Sequence, residues 1–384
     1  MSYDWTSKQT DITTFLFNCS IIKTSNYYIF RFRALQIMIF LTLPCLLVFL
    51  ISENVEGLNP ETILVSGYNT EIARYILEDG EIIRNGSWLV DENMTWMQEA
   101  NGSIYAIHEV SSYLGQEGGA ISRWEVENDQ LVKRELLNLK SGGPAHVVVD
   151  TERDIAITAN YAGGSVTVVS LENGHLGRIS QVLKFGEGCR GMSHPHHIIQ
   201  VDDLVWVTDL GCDTIYQFLI DGDQLERIGE TILPSGSGPR HMALHPVEPT
   251  AFVLCEQKDL VLVYSVNYTS GDLTKVQELE LAGLDINYGA EILVSEDGDT
   301  VYASSRGKGV VVAYKYTREG YTRDQVFELE GTWPRSIAVR NDILVAVDQK
   351  GDSLQVISLN KTGVLSSGPI LDTPPAPAFV MFLD

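Results

Sequence analysis

The sequence predicts an all-β fold, seven repeated sheets closed into a ring, and three observations carry that prediction. A phrase of short strands recurs every 40–50 residues between about residue 140 and residue 384. The strands are rich in Val, Ile and Tyr and bounded by Gly and Asp turns, and no long helix-period stretch competes after residue 55. Incomplete copies at the two ends complement one another.

The copies read, in order, "GPAHVVVDTERDIAITANYAGGSVTVVSLENGHL", "SHPHHIIQVDDLVWVTDLGCDTIYQFLIDGDQL", "GPRHMALHPVEPTAFVLCEQKDLVLVYSV", "GAEILVSEDGDTVYASSRGKGVVVAYKY" and "WPRSIAVRNDILVAVDQKGDSLQVISLNKTGVL". Anchors at Pro144, Pro195, Pro239, Ala290, Pro334 and Pro377 give steps of 51, 44, 51, 44 and 43 residues. That period and strand content mark a β-propeller, one blade per repeat. Residues 95–131 are a poorer copy ahead of the five. Residues 61–82 resemble a blade lacking its innermost strand, and "PPAPAFVMFLD" (374–384) an innermost strand lacking its blade. Joining the two closes the ring and leaves no sheet edge open. Residues 60–384 are therefore expected to form one seven-bladed domain.

The first 55 residues stand apart. Residues 1–33 form a leader, followed by "ALQIMIFLTLPCLLVFLI" (34–51), an apolar run preceded by Arg31 and Arg33 and followed by Glu53 and Glu56. Its eighteen residues, at about 1.5 Å each, nearly span a bilayer core of about 30 Å. It fits a signal-anchor helix with the basic flank in the cytoplasm, or, with translation starting at Met38, a cleavable secretory peptide. Either places the propeller in a lumen or outside the cell, with the membrane touched only through this segment; without the leader the domain would be cytoplasmic. Sequons at Asn85, Asn93, Asn101, Asn267 and Asn360 agree with an exterior location. Beyond the leader, Cys189, Cys212 and Cys255 have no zinc or redox spacing and leave room for one disulfide and one free thiol. A net charge of −24 argues against a nucleic-acid partner.

Residues at matching places in successive repeats converge on a propeller's central channel. After the anchor come Ala145, His196, Arg240, Glu291, Arg335 and Ala378, and next His146, His197, His241, Ile292, Ser336 and Phe379. A third column, near the ends of the second strands, holds Glu109, Asn160, Asp209, Glu256, Arg306 and Asp348. Ionisable side chains crowd these columns, where strand residues without a role are mostly apolar. Strand alternation turns His196 and His197 to opposite faces, so His196 is expected in the channel. The histidine column containing His197 is expected to hold blades together.

The stretches "SHPHHI", "DLGCDTIYQF", "GSGPRHMALHP", "FVLCEQKDLVLVYS" and "SSRGKGVVVAYKY" resemble the seven-bladed β-propeller lactonase family, over about residues 60–384. That family includes propeller-type 6-phosphogluconolactonases and carboxymuconate-lactonizing enzymes. The resemblance implies a catalytic set of His196, Arg240, Glu256 and Arg306. Ser305 stands where the family usually has Asn, and Cys255 where it commonly has Asn. Asn160, Asp209, Glu291, Arg335, His146 and His241 are the accompanying candidates for substrate binding.

The expected chemistry is cofactor-free and metal-independent opening of a lactone, or the reverse closure of an unsaturated carboxylic acid. Glu256 or His196 would act as base, with Arg240 and Arg306 holding an anionic group or the oxyanion. One rival is a calcium-dependent propeller hydrolase using Glu109, Asn160, Asp209 and Asp348, though Arg306 would repel the cation. The other is a non-catalytic propeller that binds a protein or glycan. No P-loop, dinucleotide fingerprint or Ser-His-Asp order supports another enzyme class.

Overall fold

The computed structural model describes the side chains of residues 61–384 except 79, 188, 190, 283–286, 361–364 and 384, and the backbone of four strands before residue 60. The chain divides into two units, 1–60 and 61–384. In the first, Ser20–Thr24, Tyr27–Phe32, Leu35–Thr42 and Cys45–Leu50 form an antiparallel meander. The apolar run 34–51 thus falls largely on two strands where the anchor reading expects one helix, and among the described residues no helix is long and apolar enough to cross a membrane. Residues 1–19 and 51–60 lie outside the described residues.

The second unit contains seven four-stranded antiparallel sheets. Blade 1 joins the C-terminal strand Pro377–Leu383 to Glu61–Gly67, Glu71–Glu78 and Glu81–Leu89. The remaining innermost strands are Met94–Ala100 (blade 2), Pro144–Asp150 (blade 3), Pro195–Val201 (blade 4), Pro239–Leu244 (blade 5), Tyr288–Val294 (blade 6) and Pro334–Arg340 (blade 7). Each neighbours the innermost strand of the next blade, so the ring is closed. The join is tight: a Cβ at Gly67 would lie 2.2 Å from the carbonyl oxygen of Ala376.

Burial explains why these segments read as near-continuous apolar runs. Each second strand lies between two blades, and Ile155–Asn160, Leu204–Asp209 and Ile343–Asp348 are buried throughout. Seven apolar clusters fill the seven interfaces. Phe252, Leu254 and Val263 pack on Val301, Ala303 and Val312 between blades 5 and 6, and Ile63 and Val65 on Val345 and Val347 between blades 7 and 1. Burying such surface, at about 25 cal/mol per Å², is what holds blade to blade.

Every innermost strand carries one extra residue just after its start. Pro195 faces Asp209 and His197 faces Thr208, which leaves His196 unpaired, and the same β-bulge recurs in all seven blades. Simple alternation is broken at this point, so His196 and His197 do not point to opposite faces as expected. Both rings approach His241, at 5.0 and 4.5 Å between centroids.

Removing residues 377–383 would strip Val380 and Phe382 from the interface with blade 7 and Phe379 from that with blade 2. At about 2 kcal/mol for each large apolar side chain the loss is about 6 kcal/mol, comparable to the stability of many whole domains. The truncated chain should lose its cooperative thermal transition; a melt matching the full chain would show that closure by the terminal strands is dispensable.

Candidate active site

Three layers of side chains, stacked along the axis, follow from the bulge. The unpaired residues form an upper layer: Ala378, Thr95, Ala145, His196, Arg240, Ala290 and Arg335 for blades 1 to 7. The next residues form a belt beneath it: Phe379, Trp96, His146, His197, His241, Glu291 and Ser336. The residues just beyond the second strands' pairing with the anchors form a rim: Tyr68, Glu109, Tyr161, Leu210, Glu256, Arg306 and Gln349.

This register corrects two expectations. Blade 6 has no anchor proline, and Gly289, paired with Ser305, occupies the proline's place instead of Ala290. Glu291 therefore belongs with His197 and His241, and its backbone N–H donates to the Ser304 hydroxyl as that of His197 does to Thr208. The third column likewise mixed two registers. Glu109, Glu256 and Arg306 reach the rim, whereas Asn160, Asp209 and Asp348 sit one residue earlier and turn into their own blades.

Asn160 donates to Ser165 and Thr167 at 3.1 and 2.9 Å. Asp209 accepts from the Ser193 hydroxyl and from the backbone N–H groups of His194, Gly211 and Cys212. Asp348 accepts from the N–H groups of Thr332, Trp333 and Lys350. The Asn160 oxygen accepts from the Thr158 hydroxyl and the carboxylates of Asp209 and Asp348 are engaged by loop backbone, so the structure does not bring Asn160 or Asp209 to the channel. Asp209 instead secures the loop that the Cys189–Cys212 disulfide ties to blade 4, with Cα atoms 5.3 Å apart; Cys255 is free and buried.

The belt is a continuous plug. Trp96 lies 4.3 Å from His146, His146 4.0 Å from His197 and His197 4.5 Å from His241, ring to ring. The His241 Nδ1 and Glu291 Oε1 are 2.5 Å apart, Ser336 reaches Glu291 Oε2 at 3.4 Å, and Phe379 returns to Trp96 at 4.4 Å. His146 and His241, expected to bind substrate, thus form the floor of the site. Burial lowers the pKa of each of these imidazoles, and neighbouring cations or histidines add to it, so the rings stay neutral. Burial pushes Glu291 the other way, up to about 8, so at neutral pH it holds a proton to share with His241. Among the described residues no group of three or more His, Cys, Asp or Glu is arranged to hold a metal ion.

Above the floor, His196, Arg240, Glu256 and Arg306 meet as expected. Glu256 Oε2 lies 3.3 Å from Arg240 Nε and 2.8 Å from an Arg306 terminal nitrogen. Arg240 donates to the Ala290 carbonyl and Arg306 to those of Gly289 and Tyr288, which aims both guanidiniums. Burial beside Arg306 and Arg335 lowers the Arg240 pKa to about 9. His196 is buried, its pKa is depressed by that burial and then by Arg240 and Arg335, and its Nδ1 bonds to no described residue.

Sequence reasoning missed the aromatic side of the rim. The Tyr68 hydroxyl donates to Glu109 Oε2 and accepts from Arg335, both at 2.7 Å. Tyr161 stacks on His194 at 4.3 Å and meets His196 edge-on at 5.7 Å. Trp333 lies under Arg306, 5.8 Å away. Aligning "TANY", "TDLG", "LCEQ" and "SSRG" on the residue after the buried polar or Cys position recovers Tyr161, Glu256 and Arg306 together.

The belt pair gives a pH test. Glu291 binds its proton more tightly folded than unfolded, so its contribution to stability is complete below about pH 4 and is lost as pH rises through about 8. The neutral histidines act oppositely, costing stability as pH falls below about 6.5. Between about pH 5 and 9, wild type should lose stability relative to Glu291→Gln, by about 2–4 kcal/mol in urea unfolding. A difference that does not vary with pH would mean that Glu291 is not protonated in the fold.

Comparison with known proteins agrees with this architecture. The family model described as Lactonase, 7-bladed beta-propeller, matches residues 62–382. The 6-phosphogluconolactonase of Bacillus subtilis is 28% identical over 300 residues, 74% of this chain and 84% of that protein. That of Pectobacterium carotovorum is 30% identical over 233 residues, 57% of this chain and 68% of its own. Among solved structures, a Lactobacillus plantarum protein superposes with a TM-score of 0.78 at 24% identity, covering 85% of this chain and all of its own. The periplasmic gluconolactonase of Pseudomonas aeruginosa does so with 0.77 at 19% identity, covering 84% and 99%. A model match spanning nearly all of the propeller, on a fold of seven closed blades, makes this chain a member of the seven-bladed β-propeller lactonase family.

Proposed function

We propose that this protein hydrolyses a lactone at the rim of its channel, with His196, Arg240, Glu256 and Arg306 as the core of the site. The observation that carries the reading is the bridging of two buried guanidiniums by one carboxylate beside a neutral, unpartnered imidazole. Arg240 and Arg306 are fixed donors for charge that grows on the carbonyl oxygen when water adds, and they offer paired contacts to a carboxylate or phosphate on the substrate. Glu256 holds them together despite their like charge. A base takes the proton of the attacking water, and within this quartet only Glu256 and His196 can accept one. The ring C–O bond then breaks and its oxygen takes up a proton, leaving a hydroxy acid. The same groups would also serve closure of an unsaturated acid, in which the carboxylate oxygen bonds to one alkene carbon and a proton is delivered to the other.

A calcium mechanism is disfavoured by the hydrogen bonds that engage Asn160 within its own blade and the carboxylates of Asp209 and Asp348 with loop backbone, and by Arg306 at the rim. The Cys189–Cys212 bridge and the exposed Asn85, Asn101, Asn267 and Asn360 favour an oxidising lumen or exterior. In that setting residues 1–51 act as leader and anchor or signal, and the lactone is one available outside the cytosol.

Purified full-length protein should open members of a panel of sugar and γ-lactones, followed by acid release, and Arg240→Ala should lower turnover about 100-fold or more. Equal turnover by Arg240→Ala or His196→Ala would remove the reading. Activity should survive EDTA; its loss, restored by Ca²⁺, would favour the metal-dependent alternative.

A further inference from the structure

The upper layer is lopsided, and the lopsidedness points to a second working carboxylate. Large polar side chains come from blades 4, 5 and 7 as His196, Arg240 and Arg335, whereas blades 1, 2 and 3 supply only Ala378, Thr95 and Ala145. Small side chains on blades 1 to 3 thus face large ones on blades 4, 5 and 7 across the channel. Ala378, Thr95 and Ala145 line one cavity with Glu109, His196 and Arg335. Glu109 thus faces the same cavity as His196 and Arg240.

We propose that Glu109 is the base that activates water in this site, with Tyr68 and Arg335 as its positioning residues; the inference rests on the lactonase reading above. The two rim carboxylates differ in what surrounds them. Glu256 Oε2 is already taken up by Arg240 and Arg306. Among the described residues the Glu109 carboxylate is bound only by the Tyr68 hydroxyl at 2.7 Å, with Arg335 at 3.9 Å. His196 is a weak acceptor, because burial, and then Arg240 and Arg335, disfavour an imidazolium there.

The step balances without a cofactor. Glu109 takes one proton from water as the hydroxide oxygen bonds to the carbonyl carbon, and Arg240 and Arg306 hold the oxyanion. As the tetrahedral adduct collapses, the C–O ring bond breaks, and Glu109 returns its proton to the departing ring oxygen. The new carboxylic acid then ionises to solvent. Tyr68 stays protonated throughout, since burial raises its pKa, and keeps Glu109 aimed by donating to Oε2.

The test compares full-length wild type, Glu109→Gln, Glu109→Ala, Glu109→Asp, Tyr68→Phe and Arg240→Ala on one lactone panel. Glu109→Gln should lose about 100-fold or more in kcat with KM little changed, and Glu109→Asp should recover part of it. Added formate should restore turnover to Glu109→Ala, which a merely structural role would not allow. Tyr68→Phe should lose about tenfold in kcat, and its deficit should vanish in the Glu109→Gln background. Wild-type turnover by Glu109→Gln, with Arg240→Ala inactive, would overturn the inference and leave the lactonase reading standing. A loss confined to KM, or one that formate does not restore, would overturn it too. A wild type inert toward the whole panel would remove the reading, and this inference with it.

Discussion

One extra residue in each innermost strand organises the whole channel. Without the bulge, side chains would alternate strictly and half of the axial positions would be lost to the blade interfaces. With it, two consecutive residues per blade reach the axis, one as upper layer and one as belt. Proline at the start of five of these strands costs little, because its ring precedes the regular ladder and supplies no missing donor. The apolar inter-blade clusters then fix each bulge against its neighbour, so His196, Arg240, Arg306 and Arg335 sit on strands, with Glu109 and Glu256 one residue beyond strand ends.

How far this was legible in the sequence depends on which physical signal marks the position. Seven blades, the terminal closure and the convergence of His196, Arg240, Glu256 and Arg306 all followed from repeat spacing and anchor prolines. A bulge leaves no mark in composition, so His196 and His197 were assigned to opposite faces by a rule that fails at this point. Blade 6 has Gly289 where proline is expected, and the alignment slipped by one residue, moving Glu291 out of its belt. The slip at the second strands has the same origin: Asp209 and Glu256 are both acidic and near strand ends, yet one faces backbone N–H groups and the other the rim. Tyr68 and Tyr161 escaped notice because an aromatic residue at a strand end is ordinary, and only the hydrogen bond to Glu109 and the stack on His194 give them meaning.

The belt shows how the structure carries an expensive arrangement. Three neutral imidazoles and a carboxyl of the belt, with His196 above them, are taken out of water, and His146, His196 and His197 each leave Nδ1 without a described partner. Such groups cost about 1–3 kcal/mol apiece. Trp96 and Phe379 offset part of this by filling the axis with apolar surface, and the proton shared between His241 and Glu291 avoids a bare buried charge. What the arrangement provides is a dry floor directly beneath three guanidiniums, where their field is least screened.

Charge also bears on how substrate enters and product leaves. The chain carries −24 overall, yet the upper layer and rim set Arg240, Arg306 and Arg335 beside Glu109 and Glu256. Beyond about 8 Å salt screens the arginines, so an anion approaching from afar meets an acidic surface and is drawn in only near the mouth. On the proposed chemistry, lactone opening converts a neutral ester into a carboxylate and so adds one negative charge to the bound molecule. A site built solely of arginines would hold that product more tightly than the substrate and stall on release. Two carboxylates within the rim reduce that preference, so the groups that aim the arginines and accept the proton also limit product retention.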